Sequence, residues 1–431
     1  MSSILTNNGA MVALQTLKSI NANLAKTQDL ISTGKAVATA KDNAAVWAIS
    51  KVMESDVQGF KAIGSSLSLG ETTVSIAREA SEAVTDLLTK MKDKIIASQE
   101  DNVDRGKIQD DIAVLRDQIS SIVGAAQYNG LNLLSNRSAT VGSGTIDVLS
   151  SLDRSGSGVT VSNISVSKQD LGMQASSINT GATVVTAANN IQNGFGDTVA
   201  AALTGAATAA TGTSTFGASA NEAVPAGTGF NISISALAGA LPAELATTSL
   251  SDIRFVARDG DTAGDVAKGL AESFNTWIQD KVGTDTTIQA VASGNSLTFT
   301  GANVVGDNLS ITVNQYAAAD TTIGGGLEKL AAIDVSTDTG AQAALNNIEA
   351  MIQTSINSAA AFGSVQGRIE IQAEFVSKLT DALRSGIGSL VDADMEEASA
   401  RLQALQVQQQ LGIQSLSIAN QAPQSILALF R

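Results

Sequence analysis

A seven-residue hydrophobic repeat dominates both ends of the chain and is absent from its middle. Between residues 42 and 98, apolar side chains recur in two interleaved series, interrupted only by Asp56, Gly70 and Ser81. Such a repeat predicts a helix that buries a narrow stripe against a partner helix, here about 85 Å long. The seam positions predicted in this half are Val46, Ile49, Met53, Phe60, Leu67 and Leu88.

The C-terminal part of the chain carries the same spacing. A series that starts at Ile348 continues through Ile369, Val376 and Leu383, and Ser355 is its one polar member. Because each half offers one long apolar stripe, we expect the two long helices to pair with each other.

Local signals predict where these helices start and stop. Gly34 follows Thr33 and should end a first, shorter helix. Asp42 or Asn43 can cap the long helix through a side-chain oxygen. Asp394, followed three residues later by Glu397, resembles a capping box and predicts the start of a last helix.

The two outermost helices, 4–33 and 394–430, each carry a narrow apolar stripe at a chain end. Packed only on each other, they would leave apolar surface exposed, and such surface usually marks an interface. An ordinary bundle within one monomer is the alternative, but the pattern favours assembly. The residues predicted to serve assembly are Leu14, Leu17, Leu24, Ile31, Met395, Leu402, Leu405, Leu416 and Phe430.

The middle of the chain has a different pattern. A helical run at 263–280 is flanked by strand-like runs, which predicts a small α+β domain. Segment 200–229 is predicted to be a flexible surface loop, and residues 198–221 are too rich in small side chains to favour a membrane helix. Short strands are expected at 145–149 and 159–166. The strand-like runs of the middle are 230–236, 252–257, 286–291, 295–299 and 309–313.

The composition excludes several classes of function. A net charge of −15 argues against nucleic-acid binding. The chain has no histidine and no cysteine, which excludes Ser-His and Cys-His nucleophiles and the zinc-protease motif. Asp259 and Asp261 are better explained as turn carboxylates than as a glycosidase pair. Residues 324–326 are three glycines that no Lys-Ser/Thr follows, so we expect a hinge rather than a phosphate loop. No enzyme activity, cofactor or metal is expected.

The N-terminus lacks a basic segment followed by an apolar core, and Lys18 is the first basic side chain. We therefore expect secretion, if it occurs, to proceed without a cleaved signal peptide.

Three motifs resemble those of bacterial flagellins. The first is the Ser-Thr-Gly stop at 32–34 with the Asp-Asn-Ala-Ala restart at 42–45. The second is the segment Tyr-Asn-Gly-Leu-Asn-Leu-Leu at 128–134. The third is the acidic run at 392–400, which continues to the last residues. The resemblance covers about 1–175 and 330–431 and leaves out the middle.

The resemblance implies a mainly α fold, in which paired N- and C-terminal coiled-coil helices form a filament core. A β-hairpin near 140–166 and an inserted α+β outer domain complete it. The implied domains are 1–40 with 391–431, 41–175 with 330–390, and 176–329. The chain would be a structural subunit that self-assembles into the extracellular flagellar filament for swimming.

The resemblance also implies partners: other copies of the chain, with or without sister flagellins, an export chaperone, the type III export apparatus, the filament cap and hook-associated proteins. Nucleic acid and membrane insertion are not expected. Two alternatives remain open, namely a hook–filament junction protein and a secreted adhesin carried on a filament scaffold.

Overall fold

Helices at both ends of the chain flank a middle that contains strands, so the predicted mainly α fold class is confirmed. The computed structural model describes residues 7–155, 158–185, 191, 199–235, 237–282 and 287–429. Within these residues the helices are α1 (Asn8–Thr33), α2 (Ala44–Ala97), α3 (Arg105–Ala125), α4 (Ala263–Val282), α5 (Asp338–Val391) and α6 (Met395–Leu429).

Both seven-residue repeats form single continuous helices, because α2 and α5 each contain 54 residues. Their boundaries follow the predicted signals. Gly34 ends α1 with a left-handed φ of 70°, a conformation that glycine adopts without strain. At the start of α2 the cap is Asn43, whose Oδ1 accepts the Val46 amide at 3.2 Å. Asp394 Oδ1 caps α6 by accepting the Glu397 amide at 3.1 Å.

Asp42, the other predicted cap of α2, binds backwards along the chain. Its carboxylate accepts hydrogen bonds from the Thr39 amide at 2.9 Å and from the Thr39 hydroxyl at 3.0 Å. These bonds, the backbone one first, lower the pKa of the Asp42 carboxyl. Asp42 therefore stabilises the turn before α2, while Asn43 caps the first turn of that helix.

Most of the strands are short, and they pair with antiparallel neighbours. The predicted hairpin is formed by β3 and β4, which pair with each other. The strands in chain order are β1 (Gln127–Tyr128), β2 (Leu131–Asn132), β3 (Thr145–Ser155), β4 (Gly158–Ser167), β5 (Ser177–Ile178), β6 (Val199–Leu203), β7 (Thr211–Thr215), β8 (Gly229–Ser235), β9 (Arg254–Val256), β10 (Gln289–Ser293), β11 (Ser296–Thr300), β12 (Leu309–Tyr316) and β13 (Thr321–Thr322).

The middle of the chain is an α+β core, as predicted. Strands β6-β12-β8-β9 form one sheet and β10-β11-β7 another, and α4 packs its apolar face into the same core cluster. Phe274 of α4 meets Phe299 edge-on with ring centroids 5.2 Å apart, a favoured aromatic geometry. On this face Val266, Leu270, Phe274 and Ile278 are buried, and Trp277 is partly buried against the cluster.

The prediction of a flexible loop at 200–229 is wrong. Strand β6 pairs with β12, with Leu203 opposite Leu309, and β7 pairs with β11. Phe216 is fully buried in the core. Alanine, glycine and threonine in these strands give no apolar alternation of their own, so long-range pairing with β11 and β12 defines the strands instead.

Two compact units can be distinguished. One contains Met1–Ser65, Ser151–Thr160 and Ala373–Arg431, and the other contains Ser66–Ser150 and Val161–Gln372. The α+β core lies within the second unit. Among the described residues, no helix is both long enough and apolar enough to cross a bilayer.

Phe274→Ala should lower the free energy of unfolding of the α+β core by about 3–5 kcal/mol, because it removes a fully buried ring. Urea titration of the monomer in a Trp47→Phe background, followed by the fluorescence of Trp277, measures the change. Lys268→Ala on the exposed face of the same helix is the matched control and should stay within about 0.5 kcal/mol of the wild type. Equal midpoints for the two variants would contradict the assigned core.

Candidate assembly surfaces

Helices α1 and α6 pair antiparallel. The Asn7 side-chain amide donates to the Ala419 carbonyl at 2.8 Å. Further along, the Gln409 side chain donates to Asn21 Oδ1 at 2.7 Å. At the opposite end of the pair the Ala393 amide donates to the Gly34 carbonyl at 3.0 Å. Chain ends that are some 400 residues apart in sequence are therefore joined along the length of both helices.

The face of α6 that packs against α1 repeats every seven residues. Leu405 is only 7% exposed, and Gly412 lets α1 approach, since a Cβ at this position would lie 3.3 Å from Leu17 Cδ1. The residues of this stripe are all buried or half-buried, and they are Ala398, Leu402, Leu405, Gln409, Gly412, Leu416 and Ala419.

The predicted assembly residues therefore divide into groups. Leu17, Leu24 and Ile31 are half-buried on α1, like Leu402 and Leu416 on α6. Leu14 and Met395 are exposed within the single chain. Phe430 lies outside the described residues. Most of the predicted set thus lies in the pairing seam of one chain, and its role between copies stays a prediction.

A second apolar stripe on α6 was not predicted from the sequence. Val407, Leu411 and Ile418 follow spacings of four and seven, so they fall within about 40° of one another around the helix and opposite the pairing stripe. All three are exposed, Ile418 by 68%. The sequence contains the signal for this stripe, because these three apolar positions recur on one face of the helix. We call Val407, Leu411 and Ile418 the second stripe.

The seam of the long helices is buried along much of its length. Leu67 and Leu88 on α2 and Ile369 and Val376 on α5 are buried. Val46, Met53, Phe60 and Leu383 are half-buried. Ile49 is 54% exposed in the single chain, so the structure does not bring it into the seam. Polar contacts confirm the antiparallel pairing of α2 with α5, with Arg78 Nε donating to Gln366 Oε1 at 2.9 Å.

The hairpin is seated on α2 at glycines. A Cβ at Gly70 would lie 2.6 Å from Val148 Cγ1, and one at Gly59 would lie 2.6 Å from Leu152 Cδ1. Between these two side chains, the Gln372 side-chain amide donates to the Ser150 carbonyl at 2.9 Å. Glycine normally weakens a helix by about 1 kcal/mol, and here its missing side chain makes room for an apolar residue of β3.

A narrow neck joins the helical part of the second unit to the α+β core. The outgoing and returning segments run antiparallel: the Leu327 amide donates to the Gly172 carbonyl at 2.9 Å, and the Gly325 amide to the Gln174 carbonyl at 2.8 Å. β5 then pairs with β13. A Cβ at Gly325 would lie 2.0 Å from the Gly172 carbonyl oxygen. The glycines at 324–326 therefore allow two backbones to touch.

Charged side chains fasten this neck. Arg254 Nε donates to Ser176 Oγ at 2.8 Å, and the Ser176 amide donates to Glu328 Oε2 at 2.6 Å. Lys329 Nζ donates to Thr276 Oγ1 of α4 at 2.7 Å. Burial lowers the pKa of the Lys329 ammonium. Each group is held by a partner of this chain, so the cluster is structural.

The acidic residues singled out in the sequence are also structural. Asp259 accepts the Gly144 amide at 2.6 Å, and Asp261 accepts the Arg258 amide at 2.8 Å. Burial raises the pKa of the Asp261 carboxyl. Gly260 between them has a φ of 98°, as expected of a turn. Within the described part of the chain, no group of acidic residues is arranged to hold a metal ion.

Gly70→Ala should destabilise the chain by about 1–3 kcal/mol, although alanine favours helices, because its Cβ would clash with Val148. Gly64→Ala, in the same helix, is the matched control. A Cβ there meets nothing within 4 Å, so this variant should gain up to about 1 kcal/mol. Urea unfolding midpoints compare the two. The clash predicts opposite signs, and a gain in both variants would contradict the proposed seating of the hairpin.

Comparison with known proteins identifies both ends of the chain. The bacterial flagellin N-terminal helical region matches residues 4–139, and the bacterial flagellin C-terminal helical region matches residues 345–430. Flagellin A of Rhizobium meliloti is 34% identical over 432 residues, covering 100% of both chains. Flagellin FljM of Caulobacter vibrioides is 27% identical, covering 100% of this chain and 99% of its own.

Solved structures show weaker overall likeness. The flagellar hook-associated protein-3 of Legionella pneumophila aligns with a TM-score of 0.35 at 10% identity, covering 79% of this chain and 98% of that one. FliC of Burkholderia pseudomallei aligns with a TM-score of 0.30 at 14% identity, covering 69% of this chain and 99% of that one. The sequence relatives are decisive: with both ends matched and a relative covering its whole length, the chain belongs to the bacterial flagellin family, whose members are the structural subunits of the flagellar filament.

Proposed function

We propose that this flagellin polymerises through the second stripe of α6. The opposite face of α6, which contains Leu405, holds α1 and α6 together within each subunit. The carrying observation is that Val407, Leu411 and Ile418 are exposed on a helix whose opposite face is already paired. On α1, Met11 and Val12 are exposed in the same way. In the filament, the α1–α6 pair would line the inner tube.

Leaving this apolar surface in water costs free energy. Full burial of a large aliphatic side chain contributes about 1.5–3 kcal/mol. An isolated helix pair gains few contacts to set against the entropy of ordering its backbone, about 1–2 kcal/mol per residue. Contacts with neighbouring copies would supply the missing burial, so assembly and ordering of the ends are expected to be coupled.

The neck indicates how the other parts of the subunit would be arranged in the filament. The helices at 41–175 with 330–390, together with the hairpin, would form an outer tube, and residues 176–329 would be a surface domain. The antiparallel contacts between residues 172–178 and 321–327 support this division, because they bring the two ends of the inserted segment side by side. An insertion closed in this way can project from a helical layer without interrupting it.

Export and capping partners are inferred from family membership. We expect delivery by the flagellar type III apparatus, a chaperone bound to α6, and growth beneath a filament cap next to hook-associated proteins. The exposed second stripe supports the chaperone in particular, because an apolar helix face needs cover before it reaches its neighbours.

The two alternative functions have less support. A hook–filament junction protein would share the terminal helices, but the full-length sequence relatives reported above are flagellins. An adhesin would need an aromatic or concave site in the middle domain. Tyr316 is buried, and Trp277 packs against the core with Lys281 over its ring, so neither presents a binding platform.

The two stripes of α6 can be separated by substitution. Ile418→Asp should prevent polymerisation while the monomer keeps its helix content, because the charge falls on the exposed stripe. Leu405→Asp or Leu402→Asp should lower both, because these residues lie in the pairing seam. Circular dichroism of the monomer and electron microscopy after salting out measure the two effects.

Ser417→Asp is the control for these variants. It introduces the same charge at an exposed position about 100° around the helix from Ile418, and filaments should form. Normal filaments from Ile418→Asp would show that the second stripe is not an assembly surface.

Replacing residues 176–329 with a short Gly/Ser linker should still allow filaments, thinner than those of the wild type. In the native chain the neck brings the two ends of this segment side by side, so the linker has a short gap to span. Loop closure changes by only about 0.6 kcal/mol per doubling of linker length. Filament diameter in electron micrographs is the measurement, with linkers of two lengths as mutual controls. A secreted, soluble deletion variant that never polymerises would place the middle domain in the assembly core.

A further inference from the structure

Two hydroxyl groups, those of Thr85 and Ser355, meet the Ser81 carbonyl oxygen in the seam between α2 and α5. The Ser81 hydroxyl itself donates to the Ala77 carbonyl of its own helix at 2.8 Å. Ser355 Oγ of α5 donates to the Ser81 carbonyl of α2 at 3.0 Å. Thr85 Oγ1 lies 2.9 Å from Ser355 Oγ and also 2.9 Å from the Ser81 carbonyl oxygen. Ser81 and Ser355 are both 0% exposed. We call these three residues the hydroxyl cluster.

The cluster joins the polar interruptions of two apolar repeats. Ser81 interrupts the series of α2 and Ser355 interrupts that of α5, and the fold places them opposite each other. The residues seven positions before and after each serine are all large, apolar and buried, namely Val74, Leu88, Ile348 and Phe362. One layer of small polar residues therefore lies between layers of large apolar residues on both helices.

A uniform apolar seam would tolerate a slip of seven residues, because every layer would still meet an apolar layer. Here the slip would set Ser355 against Val74 or Leu88, and Ser81 against Ile348 or Phe362. The contact between the Ser355 and Thr85 hydroxyls would be lost, because Arg78 or Lys92 would take the place of Thr85. Small layers would also face large ones, leaving gaps in a close-packed seam. The contacts Arg78–Gln366 and Lys92–Glu349 lie at the edge of the seam, where water weakens them, so they do not decide the register alone.

The direction of the hydrogen bond distinguishes Ser355 from its neighbours. Ser358 is also buried, but its hydroxyl donates to the Thr354 carbonyl of its own helix at 2.9 Å. Such a bond survives any slip, since it moves with the helix. The contact between the Ser355 and Thr85 hydroxyls joins side chains of the two facing helices, and it exists in one register alone.

We propose that Ser81, Thr85 and Ser355 set the axial register of α2 against α5, so that every copy of the chain folds to the same length before it joins its neighbours. Single buried polar positions fix register in other coiled coils. The contacts that depend on this register include the Gln372–Ser150 bond that helps hold the hairpin. These three are positioning residues for the subunit.

Exchanging layers on one helix tests the proposal. Ser81→Leu combined with Leu88→Ser moves the serine of α2 by one repeat and keeps the composition unchanged. Since the chain has no cysteine, Lys90→Cys and Glu370→Cys give two exposed sites for spin labels. Their native separation along the helices is about 30 Å, and a seven-residue slip that returns serine to face Ser355 shortens it by about 10 Å. Pulsed electron paramagnetic resonance on the monomer resolves this change.

In the one-helix exchange the spin labels should no longer show the native distance alone. Either the helices slip and the shorter distance appears, or the helix pair unfolds. Adding Ile348→Ser and Ser355→Ile restores facing serines in the native register. This four-substitution variant should recover the native distance and the helix content. A native distance as the sole population in the one-helix exchange overturns the proposal, as does failure of the four-substitution variant to recover it.

Ser358→Ala is the control, because it removes a buried hydroxyl that makes no cross-helix bond, and its distance should match the wild type. The distance is read in the monomer and does not depend on the proposed mode of assembly. Filament growth in the same variants does, and rests on the proposed function. Native distances with no filaments in the four-substitution variant would therefore count against the assembly proposal and leave the register intact.

Discussion

Antiparallel pairing between the two ends of the chain is the interaction on which the rest of the structure depends. In each case an apolar stripe with a seven-residue period is buried against its counterpart: α1 against α6, and α2 against α5. Burial of these stripes is the main favourable term available to a chain with few aromatic residues. The pairing explains why the middle of the chain leaves and returns through one narrow neck, and why the hairpin finds helices on which to pack.

The pairing also explains how one chain can be both a folded subunit and a polymerising one. A helix that satisfies one apolar face internally and keeps a second face exposed has two separate contacts to make. On α6, Leu405 lies on the first face and Ile418 on the second. Exposed apolar surface of this kind is a liability in a monomer and the driving force of assembly in a polymer. The high negative charge of the chain keeps other parts of the surface from associating without specificity.

The sequence predicted much of the fold because helix periodicity is a local signal. The long helices, the stop at Gly34 and the caps at Asn43 and Asp394 could all be read from neighbouring residues. Strands β6 and β7 could not, because their small side chains lack alternation and distant strands define them. The role of Gly70 was also hidden, since only the fold shows that Val148 occupies the space a side chain would need. The same holds for Ser81 and Ser355, whose meeting depends on the register.

The most direct test of this account is a high-resolution electron cryomicroscopy reconstruction of filaments grown from the purified chain. The account predicts that the Asn7–Ala419 and Gln409–Asn21 contacts persist within each subunit. It also predicts that Leu411 and Ile418 become buried against a neighbouring copy. A reconstruction in which these two side chains remain in solvent, while α1 and α6 contact neighbouring subunits through the Leu405 face, would contradict it.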